Sequence, residues 1–217
     1  MRHRVAVATS LLLTALLVTA ARAAYDARPP LAHTGGFGEP SCRECHFDGP
    51  TRPPEALSLG GLPERYQPGA VYPLEVSIRD TTARVGGFQL AARVAAGPHA
   101  GTQAGTLCAA DARVDVVADT ATGVQYASHA GARSADSLQW KLSWQAPAED
   151  VGPVIFHVAA NSANDDDSML GDVIILRSWT TRSEGSGVRD RGGSGRRDQG
   201  RPLAVLSCNP LPTTPDP

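Results

Sequence analysis

A chain of 217 residues is long enough for one domain with its own core and a flexible tail, but short for two domains. Its 20 basic and 22 acidic residues give a formal net charge of −2. Nucleic-acid-binding proteins are usually strongly basic, so this balance argues against them, and we expect no nucleic-acid partner.

Residues 1–23 have the pattern of a Sec-type signal peptide. Two arginines precede an apolar run at 5–18, and Ala21 and Ala23 frame a cleavage site. The run is shorter than the ~20 residues that span a bilayer, which favours cleavage over an uncleaved membrane anchor. Cleavage removes three arginines and moves the net charge from −2 to about −5. The sequence therefore predicts an exported protein, periplasmic or extracellular, with no later membrane segment.

Residues 24–54 are rich in proline and glycine and show neither helical nor strand periodicity, so we expect an ordered loop. This loop contains Cys42, Cys45 and His46. The spacing Cys-x-x-Cys-His is the attachment signature of a c-type haem, in which two thiols bond to one porphyrin and the histidine binds its iron. The sequence therefore predicts one covalent haem c.

The same cysteines have two other interpretations. Cys42 and Cys45 can form a disulfide, or they can hold a structural zinc ion, although the sequence has no second ligand pair with the usual close spacing. Cysteines of exported proteins are normally bonded to each other or to a cofactor, because their compartment is oxidising. If the motif binds haem, Cys108 and Cys208 are left as a candidate disulfide pair.

The second axial ligand of a haem iron decides what the haem does. His129, which follows a short strand, is the first candidate, Met169 is the second, and His33 is the third. Histidine gives a low-potential electron carrier, methionine gives a higher-potential one, and an open position allows small-ligand binding. Phe37 and Phe47 are candidate walls of the haem site. We expect electron transfer to a redox partner protein.

Residues 55–180 show the two-residue alternation of half-buried strands. At 138–144, every even position is a large apolar residue and every odd position is polar, which places Trp140 and Trp144 in the core. Seven or eight such strands predict an all-β fold, an immunoglobulin-like antiparallel β-sandwich, with a barrel as the alternative. The other predicted strands lie near 57–59, 72–78, 88–94, 114–116, 124–126, 153–159 and 173–179.

Two polar stretches give weaker signals. Residues 181–217, rich in glycine, arginine and serine, are predicted to be a flexible tail. The run 161–168 collects carboxylates and amides that could bind calcium, but it lacks EF-hand spacing, so a solvated turn is favoured. The sequence contains no nucleophile elbow, phosphate loop or catalytic carboxylate pair, and we therefore expect a protein that is not an enzyme.

Several blocks follow one another along the chain: His33-Thr34-Gly35-Gly36-Phe37-Gly38-Glu39, Cys42-x-x-Cys45-His46, Gly61-Leu62-Pro63, Tyr66-x-Pro68-Gly69, Gly86-Gly87-Phe88-Gln89-Leu90, Tyr126-x-x-His129, Trp140-x-x-x-Trp144-x-Ala146-Pro147, Asn161-x-x-Asn164 and Gly171-Asp172. Together they resemble the bacterial reelin-like domains called choice-of-anchor V. The resemblance implies a reeler-type β-sandwich on an exported or surface protein, and it implies no biochemical activity. The alternative function is accordingly a haem-free cell-surface or extracellular interaction module, in which Cys42 and Cys45 form a disulfide.

Overall fold

The computed structural model describes residues 28–131, 138–166 and 168–186. The predicted signal peptide at 1–23, Cys208 and most of the predicted tail lie outside these residues. Within the described ranges, no helix is long and apolar enough to cross a membrane.

Three short 3-10 helices are formed by Cys42–Glu44, Pro54–Ala56 and Glu184–Ser186. The strands are β1 (Phe47–Asp48), β2 (Leu57–Gly60), β3 (Arg65–Tyr66), β4 (Val71–Ile78), β5 (Val85–Val94), β6 (Thr106–Ala109), β7 (Val114–Ala118), β8 (Gln125–His129), β9 (Gln139–Gln145), β10 (Val154–Ala163) and β11 (Leu170–Ser183).

The strands form two sheets that pack face to face. The larger sheet has the order β1-β11-β10-β5-β8-β7, with β3 also beside β11, and the smaller sheet has the order β2-β4-β9-β6. The strands β1 and β3 run parallel to β11, whereas the other pairings of described strands are antiparallel. Apolar side chains from both sheets form one buried cluster between them. The predicted all-β sandwich is thus confirmed.

Alternation along each strand builds the core. In β9, Trp140, Leu142 and Trp144 are buried while Gln139 and Lys141 are exposed, because successive side chains of a strand point to opposite faces. The predicted strand at 138–144 is therefore confirmed, and so is its inward face.

Aromatic rings fill the centre of this core. The ring of Trp144 lies 5.0 Å from that of Phe156 and 5.5 Å from that of Tyr66, both nearly edge-on, and Phe88 lies 5.1 Å from Trp140. All five side chains are almost fully buried. The two tryptophans are core residues, as predicted, and they join the larger sheet to the smaller one.

Some elements differ from the sequence-based expectations. The region 24–54, expected to be a loop without regular structure, contains the 3-10 helix Cys42–Glu44 and the strand β1. The strand β11 continues through Ser183, although the flexible tail was expected from residue 181, and both Thr181 and Ser183 are buried. The short strand β6 was not predicted, because its sequence Thr-Leu-Cys-Ala does not alternate between apolar and polar residues.

The cysteines are in two different states. Cys108, on β6, is disulfide-bonded, whereas Cys42 and Cys45 carry free thiols. The predicted partner of Cys108, Cys208, lies outside the described residues, so that pairing stays a prediction.

Candidate haem-attachment site

The N-terminal segment, residues 28–50, lies across the outer face of the larger sheet. Gln89 of β5 points toward this segment, and its side chain is fully buried. Its amide oxygen accepts a hydrogen bond from the His33 N–H over 2.6 Å, and its amide nitrogen donates to the Pro30 carbonyl over 2.8 Å. One strand residue therefore fixes the path of the segment backbone over the sheet.

A buried charged cluster holds the middle of the N-terminal segment. Arg93 of β5 forms an ion pair with Glu39 and donates a hydrogen bond to the Tyr126 hydroxyl over 2.5 Å. That hydroxyl donates in turn to Glu39 over 2.5 Å. The Arg93 guanidinium also lies over the ring of Phe37, 5.4 Å from its centre, which is a favourable cation–π distance. The segment is thus held by one buried ion pair and two hydrogen bonds.

His157 lies beneath the N-terminal segment, on the face of β10 opposite to the core. Its ring packs edge-on against Phe37 at 5.4 Å. A Cβ atom on Gly36 would lie 2.4 Å from the His157 ring, so only glycine allows the segment to approach the sheet this closely. Burial, and then the positive charge of Arg93, lower the pKa of His157. This histidine is therefore a neutral packing residue.

Cys42 begins a short 3-10 helix that is capped by Ser41, and Cys45 is the residue that ends it. The Ser41 hydroxyl accepts a hydrogen bond from the Arg43 N–H over 3.3 Å. The Cys42 carbonyl accepts hydrogen bonds from the N–H groups of Cys45 at 3.3 Å and His46 at 2.9 Å. These bonds hold both thiols and the imidazole on one turn. Burial raises the pKa of the Cys42 thiol to about 12, so this thiol is protonated at neutral pH.

The His46 imidazole is oriented by the sheet beneath it. Its Nδ1 lies 2.6 Å from Oδ2 of Asp172 on β11 and 3.2 Å from Nδ2 of Asn161 on β10. The side chain of His46 is 31% exposed, whereas that of Asp172 is only 2% exposed. One edge of the ring is thus held against a buried carboxylate, and the histidine is in part open to solvent. A metal-binding histidine commonly has this arrangement, with its other ring nitrogen on a carboxylate.

Large apolar side chains are exposed beside the motif. The N–H of Phe47 donates to the Met169 carbonyl over 3.1 Å, and Phe47 pairs with Leu170 between β1 and β11. Phe47, Met169 and Leu170, here called the apolar patch, are 46%, 54% and 52% exposed. Exposed apolar side chains that adjoin one another indicate a binding surface more often than scattered ones do. The apolar patch is therefore available to a flat apolar ligand held at the motif.

A cavity of about 180 Å³ lies beside His46. It is smaller than the ~300–1,000 Å³ of typical ligand pockets, so a haem attached here would lie against the surface and would not be enclosed. Gly49 brings the segment close to β11, since a Cβ atom there would lie 1.8 Å from the Asp172 carbonyl oxygen. The cavity is lined by Arg43, His46, Phe47, Asp48, Gly49, Pro50, Thr51, Asp172 and Ile174.

His129, the first candidate for the second axial ligand, is the last residue of β8. Its Nδ1 accepts a hydrogen bond from the Phe88 N–H over 3.1 Å, and its ring fills the space above Gly87, 2.4 Å from where a Cβ atom would be. Gly87 is paired in the sheet with Asn161, the residue that contacts His46. His129 thus packs against Gly87, whose sheet partner Asn161 contacts His46.

The other two candidates make direct contacts with residues in or next to the motif. Met169 is bonded to Phe47 through its carbonyl, and its side chain is exposed. His33 uses both ring nitrogens: Nδ1 lies 2.8 Å from the Leu31 carbonyl oxygen and Nε2 lies 2.8 Å from a carboxylate oxygen of Glu44. Iron binding by His33 would have to break one of these bonds. The identity of the second ligand stays a prediction.

Asp172 and Asn161 contact His46, which the sequence reasoning did not predict, although Asn161 was part of the candidate calcium run. They are 126 and 115 residues away from His46 in the chain, so their contact with it depends on the fold. One signal was present in the sequence: Asp172 is the only charged residue in the apolar stretch 170–176. A lone acid in a strand that is otherwise apolar indicates either a buried partner or an outward-facing site.

The acidic run is shorter than the sequence suggested, because residues 161–163 belong to β10. In the turn that follows, the Asn164 amide donates to the Asp166 carboxylate over 2.9 Å. Among the described residues, no group of three or more histidine, cysteine or acidic side chains is arranged to hold a metal ion. Calcium binding at this turn stays the less favoured alternative to the predicted solvated turn.

No protein-family model matches the chain, and the comparison with curated proteins found no significant match. Solved structures with a similar backbone include the human F-spondin reeler domain, at 18% identity and a TM-score of 0.47, covering 65% of this chain and 99% of that one. The Reelin-N domain of F-spondin has 20% identity and a TM-score of 0.46, covering 65% and 96%. A cohesin module from a Clostridium perfringens ATCC13124 family 33 glycoside hydrolase has 12% identity and a TM-score of 0.39, covering 58% and 94%. We base neither a family nor a function on these likenesses.

Proposed function

We propose that this protein carries one covalent haem c at Cys42, Cys45 and His46 and exchanges single electrons with a redox partner protein. The observation that carries the proposal is the position of two free thiols and a partly exposed imidazole on one turn, directly beside the apolar patch. The donor set fits the group, because haem c needs two thiols at this spacing and a histidine directly after the second.

Each thiol would react by addition across one vinyl group. Its sulfur would bond to one vinyl carbon and its hydrogen would go to the other, so the step is balanced without an oxidant. In the folded protein the N-terminal segment is docked on the sheet, and burial there raises the pKa of the Cys42 thiol.

After docking, the residues around the motif would have separate tasks. His46 would bind the iron, and the apolar patch would cover part of the ring and exclude water from it. Bound haem would supply a one-electron iron couple that takes an electron from a reduced partner protein and gives it to an oxidised one. His129 and Met169 are the side chains that we propose as a second ligand of the iron, and the site's surface location suits contact with a protein partner.

The proposal includes two statements that rest on the sequence. The first is export to the periplasm or the cell exterior, where covalent haem attachment takes place. The second is membership of the reelin-like domains of the choice-of-anchor V type. The disulfide bond of Cys108 supports export, since disulfides persist in oxidising compartments.

The test is expression in a bacterial host that attaches c-type haem, followed by absorption spectroscopy of the denatured protein. We expect a Soret band that stays with the wild-type polypeptide after denaturation, and that changes on reduction in the native protein. The double variant Cys42→Ala, Cys45→Ala should lose it. A matched double variant on the smaller sheet, Ser58→Ala with Ser77→Ala, should keep it. A colourless wild-type protein with a Cys42–Cys45 disulfide would overturn the proposal and support the haem-free interaction module instead.

A further inference from the structure

Asp172 is a buried acid with an unusual environment. It lies on the outer face of β11 and is only 2% exposed, yet the described ion pairs give it no arginine or lysine partner. Its only ion pair there is with His46, at 2.6 Å. A buried carboxylate without a cationic partner is expensive to desolvate, so a strand position of this kind is normally occupied by an apolar residue. The presence of Asp172 at this buried position is therefore not explained by the stability of the fold.

The contacts of Asp172 are concentrated on one oxygen. Its Oδ2 accepts hydrogen bonds from the His46 Nδ1 and, at 3.4 Å, from the Asn161 amide nitrogen. Its Oδ1 is buried and has no hydrogen-bond partner, and the same is true of the Asn161 Oδ1. The carboxylate is thus fixed by the imidazole it faces more than by the rest of the sheet.

We infer that Asp172 is the positioning residue for the proximal histidine of the site, and that its negative charge lowers the reduction potential of a haem bound there. The inference rests on the proposed function. By accepting the Nδ1–H of His46, Asp172 directs Nε2 of that ring to the iron. A carboxylate on Nδ1 also makes the imidazole a stronger electron donor, which stabilises the oxidised iron relative to the reduced one.

Asn161 has a second, weaker effect in this arrangement. Its amide nitrogen lies 3.4 Å from the Asp172 oxygen that accepts from His46 and 3.2 Å from the His46 Nδ1, so it competes with the Asp172–His46 hydrogen bond at both ends. Removing the amide leaves the carboxylate charge in place and makes Asp172 a stronger acceptor for His46. The two residues are expected to shift the potential in opposite directions.

The experiment is a redox titration of the haem-loaded wild-type protein and of three variants. The change in absorption on reduction monitors each titration. Asp172→Asn removes the charge but keeps the side-chain shape, and it should raise the equilibrium constant for reduction about tenfold or more, which is about 59 mV for one electron. Asp48→Asn is the matched control, because Asp48 lines the same cavity without contacting His46. Asparagine also tolerates the positive φ of 63° at that position. This control should shift the potential much less.

Asn161→Ala should lower the potential. If Asp172→Asn and Asp48→Asn give equal shifts, or if Asn161→Ala raises the potential as Asp172→Asn does, the inference is wrong. Should Asp172→Asn fail to fold, Asn161→Ala decides alone, and an unchanged or raised potential overturns the inference. A wild-type protein that takes up no haem contradicts the proposed function itself, so the two failures are distinguishable.

Discussion

The inner face of the larger sheet packs against the smaller sheet through apolar side chains, whereas its outer face is covered by the N-terminal segment through polar contacts. On the inner face, Phe88 and Phe156 are buried among tryptophans. On the outer face, Gln89, Arg93 and Asp172 each hold the segment by hydrogen bonds or ion pairs. The core depends on many small contacts and the outer layer depends on a few specific ones.

This difference separates stability from function. Apolar burial is spread over both sheets, so the sandwich is expected to stay folded when the outer layer is disturbed. A buried polar pair is different, because the loss of one partner leaves the other without compensation. Single substitutions on the outer face should therefore release the N-terminal segment and the motif locally, without unfolding the sheets.

The largest effect is expected from Trp144→Ala in the core. This change removes ring contacts with Tyr66 and Phe156 and leaves the Ala104 carbonyl without the indole donor that now lies 2.9 Å away. The free energy of unfolding should fall by about 3–5 kcal/mol, measured by urea denaturation with circular dichroism. Trp179→Ala, at a partly exposed position, is the control and should have less than half this effect. A loss of under about 1 kcal/mol at Trp144 would contradict a shared core.

Next is Glu39→Ala, which leaves the buried Arg93 guanidinium without its carboxylate. We expect a loss of about 3 kcal/mol, with hydrogen exchange of residues 28–50 accelerated while β9 stays protected. Glu44→Ala is the matched control: Glu44 is 59% exposed and pairs only at the surface with His33, so it should cost less than about 1 kcal/mol. Equal acceleration in the segment and in β9 would show that the two regions unfold together.

Asp80 connects the N-terminal part of the chain to the β-sandwich. It accepts hydrogen bonds from Arg52, which follows the N-terminal segment, and from Ser162 of β10. Burial alone would raise the pKa of Asp80, but hydrogen bonds from Thr82, Arg52 and Ser162 have the larger effect and lower this pKa to about 2. Because folding lowers this pKa, the ionised carboxylate stabilises the folded state above pH ~3.9, the pKa of an aspartate in the unfolded chain. This stability is lost as the pH falls toward the pKa of the folded state.

Between pH 5 and pH 2 the wild-type protein should therefore lose about 2 kcal/mol more of its unfolding free energy than Asp80→Asn does. Urea denaturation of both proteins at the two pH values measures this difference. Identical pH dependence in the two proteins would mean that Asp80 is not a stabilising link.

The smallest effect is expected at the start of the segment. Arg28 and Asp115 form an ion pair at 3.1 Å, but their side chains are 50% and 47% exposed. Solvent screens such a pair, so Arg28→Ala should change the free energy of unfolding by less than about 0.5 kcal/mol. A loss above about 1 kcal/mol would show that the segment is held from its end and not from the buried cluster.

The inner face could be predicted from the sequence, and the outer face only in part. Strands such as β4 and β9 have a local period of two, so their inward residues could be identified without a structure. The two-residue strands β1 and β3 have no period, because they form only by pairing with the long strand β11. Long-range pairing of this kind leaves no mark in a short window of sequence.

The same distinction applies to the site. Cys42, Cys45 and His46 are neighbours in the chain, so their spacing is visible directly in the sequence. Their surroundings are not, since Asp172 is contributed by a strand that follows 126 residues later. His129 was expected in a loop, and the structure places it at the end of β8, bonded to the Phe88 backbone.

The central claim is that the outer face carries a haem bonded to this motif, and peptide mapping by mass spectrometry tests it most directly. Exported wild-type protein is digested, and the peptide with Cys42 and Cys45 is compared with the peptide containing Cys108. We predict that the first peptide carries the mass of one haem and that the second does not. A first peptide with two unmodified cysteines, or with an internal disulfide, in a host that attaches haem to other proteins would contradict the claim.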